Sequence, residues 1–263
     1  QGVTRMNALA NLAGKKGLIV GIANQDSIAY GIARKVVGAG ATIAATYLNE
    51  KAEPFVRPLA EGLGAELILP CNVMVDGELE KVFEAVTAKW GKLDFVVHSI
   101  AFSPLADLHG RIVDCSAEGF KMAMDVSCHS FIRMAKLAEP LMKDGGALVT
   151  LSYYGAEKVI PNYNMMGPVK AALESVTRYL GHELAEKRIR AVCISPGPLR
   201  TRAASGIKSF DDLVEAASAK IPHYDEVNQD DVGNLCAFLV SDAARFLSGY
   251  TYYVDNGLSQ VGI

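Results

Sequence analysis

Residues 16–31 read KGLIVGIANQDSIAYG, and the reading of this stretch decides the fold. An apolar run over 16–21 predicts a buried strand, and 28–38 continues as a helix with Ile28, Ile32, Val36 and Val37 near one face. Between them Gly21 lets the chain leave the strand sharply. Ser27 is placed to cap the helix or to donate to a phosphate oxygen, and Gly31 to allow close helix–strand packing. The spacing Gly21-x5-Ser27-x3-Gly31 is not the usual Gly-x-Gly-x-x-Gly. Its physics is nonetheless that of a turn aiming a helix N-terminus, with its positive end, at an anion. A capped strand–helix turn without ligand is the plainer alternative.

The same alternation runs outward along the chain. Further strands are predicted at 41–47, 66–69, 95–100, 147–152, 189–194 and 250–254, and helices at 54–63, 79–90, 120–142, 168–186 and 232–240. The helix at 79–90 is the clearest, with Leu79, Val82, Phe83, Val86 and Trp90 at helical spacing. Near-continuous apolar strands alternating with helices predict an α/β fold: a doubly wound parallel sheet covered by helices on both faces. Ligands are then expected at the carboxyl ends of the strands. No repeat or linker interrupts the pattern, so residues 1–263 read as one domain.

Composition narrows the function class. A net charge of −3 argues against nucleic acid as a partner. No apolar run approaches the roughly 18 residues of a membrane span, and residues 1–11 lack a secretory leader pattern, so a cytoplasmic protein is expected. The five cysteines are odd in number and lack Cys-x-x-Cys, and the five histidines show no ligand spacing, so neither disulfides nor metal are expected. His98 and His129 lie in apolar surroundings and read as structural.

Chemistry concentrates in residues 151–170, LSYYGAEKVIPNYNMMGPVK, at the carboxyl end of the fifth strand. Tyr163 and Lys170 are seven residues apart, which on a continuous helix places them on one face, about 20° short of two full turns. A phenol with an ordinary pKa of about 10 is a neutral hydrogen-bond donor near neutrality. An ammonium beside it stabilises developing negative charge and can hold ribose hydroxyls. Elsewhere, Asn72 after the third strand can donate to and accept from an adenine edge, with the simple turn residue as its alternative. Ser99, Ile100, Ala101 and Phe102 follow the fourth strand, with small residues where backbone can approach a ribose. Leu48 and Asn49 place no cation immediately after the second strand, which favours NADH, while Lys51 leaves NADPH open.

From about residue 12 to residue 262 the chain resembles the short-chain dehydrogenase/reductases, and within them the divergent branch that contains the bacterial enoyl-acyl-carrier-protein reductases. Ordinary members carry Tyr-x-x-x-Lys with a Ser on the preceding strand. Here the spacing is Tyr163-x6-Lys170, the fourth residue after Tyr163 is Gly167, and Tyr153 stands where the Ser is expected. Ser27-Ile-Ala-Tyr-Gly31, His98-Ser-Ile100, Gly155-Ala-Glu157, Ile160-Pro-Asn-Tyr-Asn164, Pro198-Leu-Arg-Thr201, Ala203-Ala-Ser-Gly-Ile207 and Asp231-Val-Gly-Asn234 fit the same branch in order. Departures are Asn72 where Asp is common, Leu48 where a polar residue is common, and Val254-Asp-Asn-Gly257 in place of Val-Asp-Gly-Gly.

The resemblance implies a Rossmann-type fold and reduction of the trans-2 double bond of an enoyl thioester on acyl carrier protein. It implies Tyr163 as hydrogen-bond donor to the thioester carbonyl, Lys170 on the nicotinamide ribose and Tyr153 lining the acyl pocket. Cofactor contacts are implied for Gly21, Ser27, Ile28, Asn72, Val73, Ser99, Ile100, Ala101, Pro198, Leu199 and Thr201. Substrate contacts are implied for Ala101, Phe102, Met166, Ala203, Ile207 and Phe210, with a mobile lid at about 199–220, and a homotetramer. Two competing readings are a carbonyl reductase on the same fold, which the Tyr163–Lys170 spacing disfavours, and a decayed non-catalytic nucleotide binder, which would have lost Tyr163 or Lys170.

Overall fold

The computed structural model describes residues 9–205, 207, 209–221 and 225–262, without the side chains of Arg202 and Ala203. Strands and helices alternate: β1 (Lys16–Val20), α1 (Ile28–Gly38), β2 (Thr42–Tyr47), α2 (Glu53–Gly62), β3 (Leu67–Pro70), α3 (Glu78–Trp90) and β4 (Phe95–His98). A short α4 (Leu105–Leu108), then α5 (Ala117–Met124) and α6 (Ser130–Ala138), lead to β5 (Gly146–Leu151). There follow α7 (Met166–Glu183), β6 (Ile189–Pro196), α8 (Arg202–Ser205), α9 (Phe210–Lys220), α10 (Gln229–Leu239) and β7 (Thr251–Val254).

Among the described residues seven strands form one sheet in the order β3-β2-β1-β4-β5-β6-β7, every neighbouring pair parallel. The chain starts in the middle, winds out to β3, then returns to place β4 beside β1 and winds out the other way. A crevice opens at that reversal, over the carboxyl ends of β1 and β4. Alternate strand residues feed the two faces. Leu18, Val20, Val96 and Leu148 pack with Phe131, Val169 and Leu173 on one side, while Ile19, Val97, Val149 and Val192 pack with Ile32, Val36 and Val232 on the other. Both faces are therefore buried, which is why these strands read as apolar runs rather than as alternation.

Every predicted strand and helix is present, with ends moved by a few residues. The helix expected over 120–142 is divided: α5 and α6 are joined by a π-helical turn, Asp125–His129. There Ser130 Oγ donates to the Val126 carbonyl at 2.6 Å, drawing that carbonyl toward a side chain. The expected Gly31 contact is corrected as well. A Cβ on Gly31 would meet the Gln229 carbonyl at 2.5 Å, so Gly31 admits α10 against α1 and not α1 against a strand. Helix α9 went unread, although Phe210, Leu213, Val214, Ala217 and Ile221 carry helical spacing in the segment expected to act as a lid.

Candidate active site

At the nucleotide end, Gly21 has φ +121°, and a Cβ there would lie 2.0 Å from the Ser99 carbonyl oxygen. Only glycine fits, and the close approach brings Gly21 and Ser99 together across the switch point; the Ser99 N–H donates to the Val20 carbonyl at 2.9 Å. Ser27 does not cap α1 with its side chain. Its Oγ accepts from the Ala23 and Asn24 N–H groups at 2.9 and 3.0 Å, closing the turn instead. The first turn of α1, beginning at Ile28, carries no acidic residue. The Tyr30 N–H donates to the Ser27 carbonyl at 3.1 Å, but no side-chain cap or carboxylate claims the leading N–H groups, the condition an anion-binding helix end needs.

Along the rest of the crevice, Asn49 Oδ1 accepts from the Ala52 N–H at 3.0 Å and Leu48 is half exposed. Arg57, on α2, lies against the Tyr47 ring but is paired with Glu53 at 2.7 Å. Asn72 Oδ1 accepts from the Met74 N–H at 3.0 Å, so it is at least a turn residue; Val73 is buried and its carbonyl accepts from Arg133 at 2.8 Å. Past β4, Ile100 is half-buried in the core cluster that also holds Tyr163 and Met166, while Ala101 and Phe102 are exposed. The Phe102 N–H donates to Ser127 Oγ at 2.9 Å and that hydroxyl donates to the Phe102 carbonyl at 3.1 Å. The buried Ser127 of the π turn thus fixes the loop that follows β4. Sequence reasoning missed it, because nothing local marks a helix serine as a loop anchor.

Beside the crevice stand the tyrosines. The rings of Tyr153 and Tyr163 meet edge to face at 5.0 Å and 69°, and Tyr154 adds a third ring 5.5 Å from Tyr153. Tyr163 precedes α7, so the helical arithmetic linking it to Lys170 is replaced by a turn in which Asn162 and Asn164 have φ +65° and +50°. Gly155 makes room for it: a Cβ there would lie 2.6 Å from the Tyr163 ring. Burial, and next the Tyr153 phenol, push the Tyr163 hydroxyl well above its ordinary range, so it keeps its proton and remains a donor.

Lys170 is buried on α7, and its Nζ donates to the Leu151 carbonyl at 2.8 Å. Burial pulls its pKa down to about 8, against the opposing pull of Cys193, Cys128 and Glu174. The raised Tyr163 hydroxyl owes its shift to burial and to Tyr153, while the Lys170 ammonium is tied to the end of β5. Behind Lys170, His98 is fully buried, with Nδ1 2.8 Å from Thr150 Oγ1 and Nε2 2.7 Å from Ser130 Oγ. Because Ser130 spends its proton on Val126, it accepts from Nε2–H, and Nδ1 accepts from Thr150. His98 is then neutral, in line with burial lowering its pKa to about 3. His129, by contrast, is exposed beside Asp125 at 3.3 Å and not in apolar surroundings.

On the substrate side, Pro198 and Leu199 are buried, and Thr201 Oγ1 accepts from the Ala204 N–H at 3.1 Å, opening α8. A cavity of about 330 Å³ lies between the tyrosines and α9, lined by Tyr153, Tyr154, Ile160, Pro198, Leu213 and Ala217. Ile207 is half-buried against the core cluster of Tyr163 and Met166; Phe210 opens α9 under the Arg200 guanidinium, and the Ala203 side chain lies outside the described residues.

A profile of the family described as enoyl-(acyl carrier protein) reductase matches residues 21–259. The chain belongs to this family. It is 45% identical over 96% of its length to the NADH enoyl-acyl-carrier-protein reductase of Aquifex aeolicus, of which it covers 94%. It is 44% identical to a Rhizobium meliloti NADH enoyl-acyl-carrier-protein reductase, with 95% of this chain and 92% of that one covered. Among solved structures, the Anaplasma phagocytophilum reductase in complex with NAD superposes with a TM-score of 0.92 at 45% identity, covering 99% of both chains. The Bacillus cereus enoyl-acyl-carrier-protein reductase, solved with NADP+ and indole naphthyridinone, gives a TM-score of 0.93 at 40% identity, over 96% of this chain and 99% of that one. Tyr153 meets Tyr163 just past the end of β5, where Lys170 is tied to the Leu151 carbonyl. No helix among the described residues is long and apolar enough to cross a membrane.

Proposed function

We infer that this chain reduces the trans-2 double bond of an enoyl thioester on acyl carrier protein, using NADH, in fatty-acid elongation. The observation that carries the reading is the contact of half-buried Tyr153 with buried Tyr163, with Lys170 tied to the carboxyl end of β5, in a chain of this family. Bound NADH supplies the hydride. The residues present fit it: an uncapped α1 N-terminus for the pyrophosphate, Gly21 and Ser99 in close apposition, and a buried Lys170 with one donor on Leu151 and two for ribose hydroxyls.

The chain's own residues then act on the acyl group. Tyr163, kept protonated by burial, donates a hydrogen bond to the thioester carbonyl and stabilises the enolate oxygen as hydride arrives at the β-carbon. Tyr153 positions the acyl chain against it. Ile100, Phe102, Met166 and Ile207 exclude water around the double bond, and the cavity under α9 receives the chain, with residues 199–220 as the lid. Asn72 and Val73 border the adenine, and Pro198, Leu199 and Thr201 the nicotinamide side. Leu48 and Asn49, with no cation between them, support NADH over NADPH. We further propose a cytoplasmic homotetramer. The five unpaired cysteines and the exposed Phe246 and Tyr250 beside the edge strand β7 support this reading.

The test is the loss of near-ultraviolet absorbance of NADH with crotonyl- and longer enoyl thioesters, with NADPH in parallel. Turnover with NADH is expected. No turnover with either nucleotide on any enoyl thioester would refute the reading.

A further inference from the structure

Lys170 and Glu174 lie one turn apart on α7, and both are buried. Their partners are consecutive, the last residue of β5 and the one that follows it. Lys170 Nζ donates to the Leu151 carbonyl at 2.8 Å, and the Ser152 hydroxyl donates to Glu174 Oε1 at 2.7 Å. Ser152 is itself buried, and its N–H donates to the Ile194 carbonyl on β6 at 2.8 Å. The next residue is Tyr153, whose ring meets Tyr163. Two side chains of one helix therefore grip the last residue of β5 and the one after it, directly before the residue that faces the phenol.

We propose that Glu174 is a positioning residue for the reductase reaction, stapling Ser152 so that Tyr153 is held against Tyr163. The proposal rests on the function argued above. A buried carboxyl is costly and is retained where its bond fixes a register that apolar packing alone would leave sliding. Burial raises the Glu174 carboxyl above its ordinary range while the Ser152 bond opposes that rise. Glu157 adds to it, and Arg178 and Lys170 oppose it. The bond to Ser152 needs an oxygen acceptor and not a charge, so an amide can replace the acid.

The test compares Glu174→Gln, Glu174→Ala, Ser152→Ala and the double alanine variant in the full chain. Loss of one buried hydrogen bond at a reacting centre is expected to lower kcat about tenfold in each single alanine variant, with the KM for NADH nearly unchanged. Glu174→Gln should keep kcat within about threefold of the parent, and the double variant should fall no further than the worse single one. Multiplying effects in the double variant, or Glu174→Gln as slow as Glu174→Ala, would overturn the proposal. So would an alanine variant that is merely less heat-stable and turns over at the parental rate in the cold. A readout free of turnover is the Tyr153–Tyr163 ring contact followed by NMR. It should persist in Glu174→Gln and be lost in Glu174→Ala. Contact retained in Glu174→Ala sinks the proposal even if the chain proved not to reduce enoyl thioesters.

Discussion

The seam between β5 and α7 runs into Tyr153 on one side of the cavity, α9 lines its other side, and the two are held by opposite means. In the seam, Lys170, Glu174, Ser152, Thr150 and His98 are all buried, and each has a hydrogen-bond partner within the fold. At α9 the ties are exposed: Arg200 reaches Asp211 at 2.6 Å and Glu226 at 3.2 Å, with a small apolar cluster of Ala217, Ile221 and Leu258 beneath. Buried polar pairs admit one geometry because an unmade bond there is costly, whereas exposed ion pairs contribute little and exchange readily with water. The seam is suited to holding reacting groups, and the α9 segment to serving as the proposed lid.

Replacing Lys170 with Ala should strain that contrast most. It leaves the Leu151 carbonyl without its buried donor and removes the ribose-binding ammonium, so activity should fall by orders of magnitude, mainly through NADH affinity. Unchanged NADH affinity in a binding titration would refute the assigned role. Tyr163→Phe should lower turnover while the thermal midpoint stays near the parental value. Full activity would shift the enolate to another donor, such as Tyr153.

Gly21→Ala probes the nucleotide end by steric force. Its Cβ would fall on the Ser99 carbonyl at a φ of +121°, so a loss of about 1–3 kcal/mol in stability is expected, readable by urea unfolding, together with weaker NADH binding.

The lowered pKa of Lys170 sets a milder pH effect. With a folded pKa of about 8 against an ordinary 10.5, the charged form dominates below about 8, and burying that charge destabilises the fold there. As pH rises from about 8 toward 10.5 the unfolded chain binds the extra proton, so this destabilisation is relieved. The ammonium needed for ribose is lost over the same range. NADH affinity in the apoprotein should therefore decline through about pH 8, a limb that Lys170→Arg should move to higher pH.

The smallest effect is expected at the lid. Arg200→Ala should change the KM for the enoyl thioester by roughly threefold, with kcat nearly preserved, and added salt should reproduce most of it in the parent. A large loss of kcat would place Arg200 in the chemistry and erase the contrast with the seam.

Much of this was legible in the residues themselves. Strands buried on both faces appear as apolar runs, and α1 and α3 as regular helical stripes, because burial periodicity is written locally. Tyr163 and Lys170 stood out as a candidate pair because their spacing is unusual and follows a strand, and Tyr153 stood out through the family resemblance. What could not be read locally was the use made of ordinary residues. Ser27 closes a turn in place of a cap, Gly31 meets a helix almost two hundred positions away, and Ser127 and Glu174 carry no motif.

The sequence by itself determined the alternation of elements, the parallel sheet and the candidate reacting side chains, since hydrophobic period and residue type are properties of short windows. Only the tertiary structure decided what surrounds those side chains. Tyr163 keeps its proton and Lys170 loses part of its hold on one because chain segments distant in sequence exclude water from both. Desolvation and hydrogen-bond partnership exist only once β4, β5, β6 and α7 have packed.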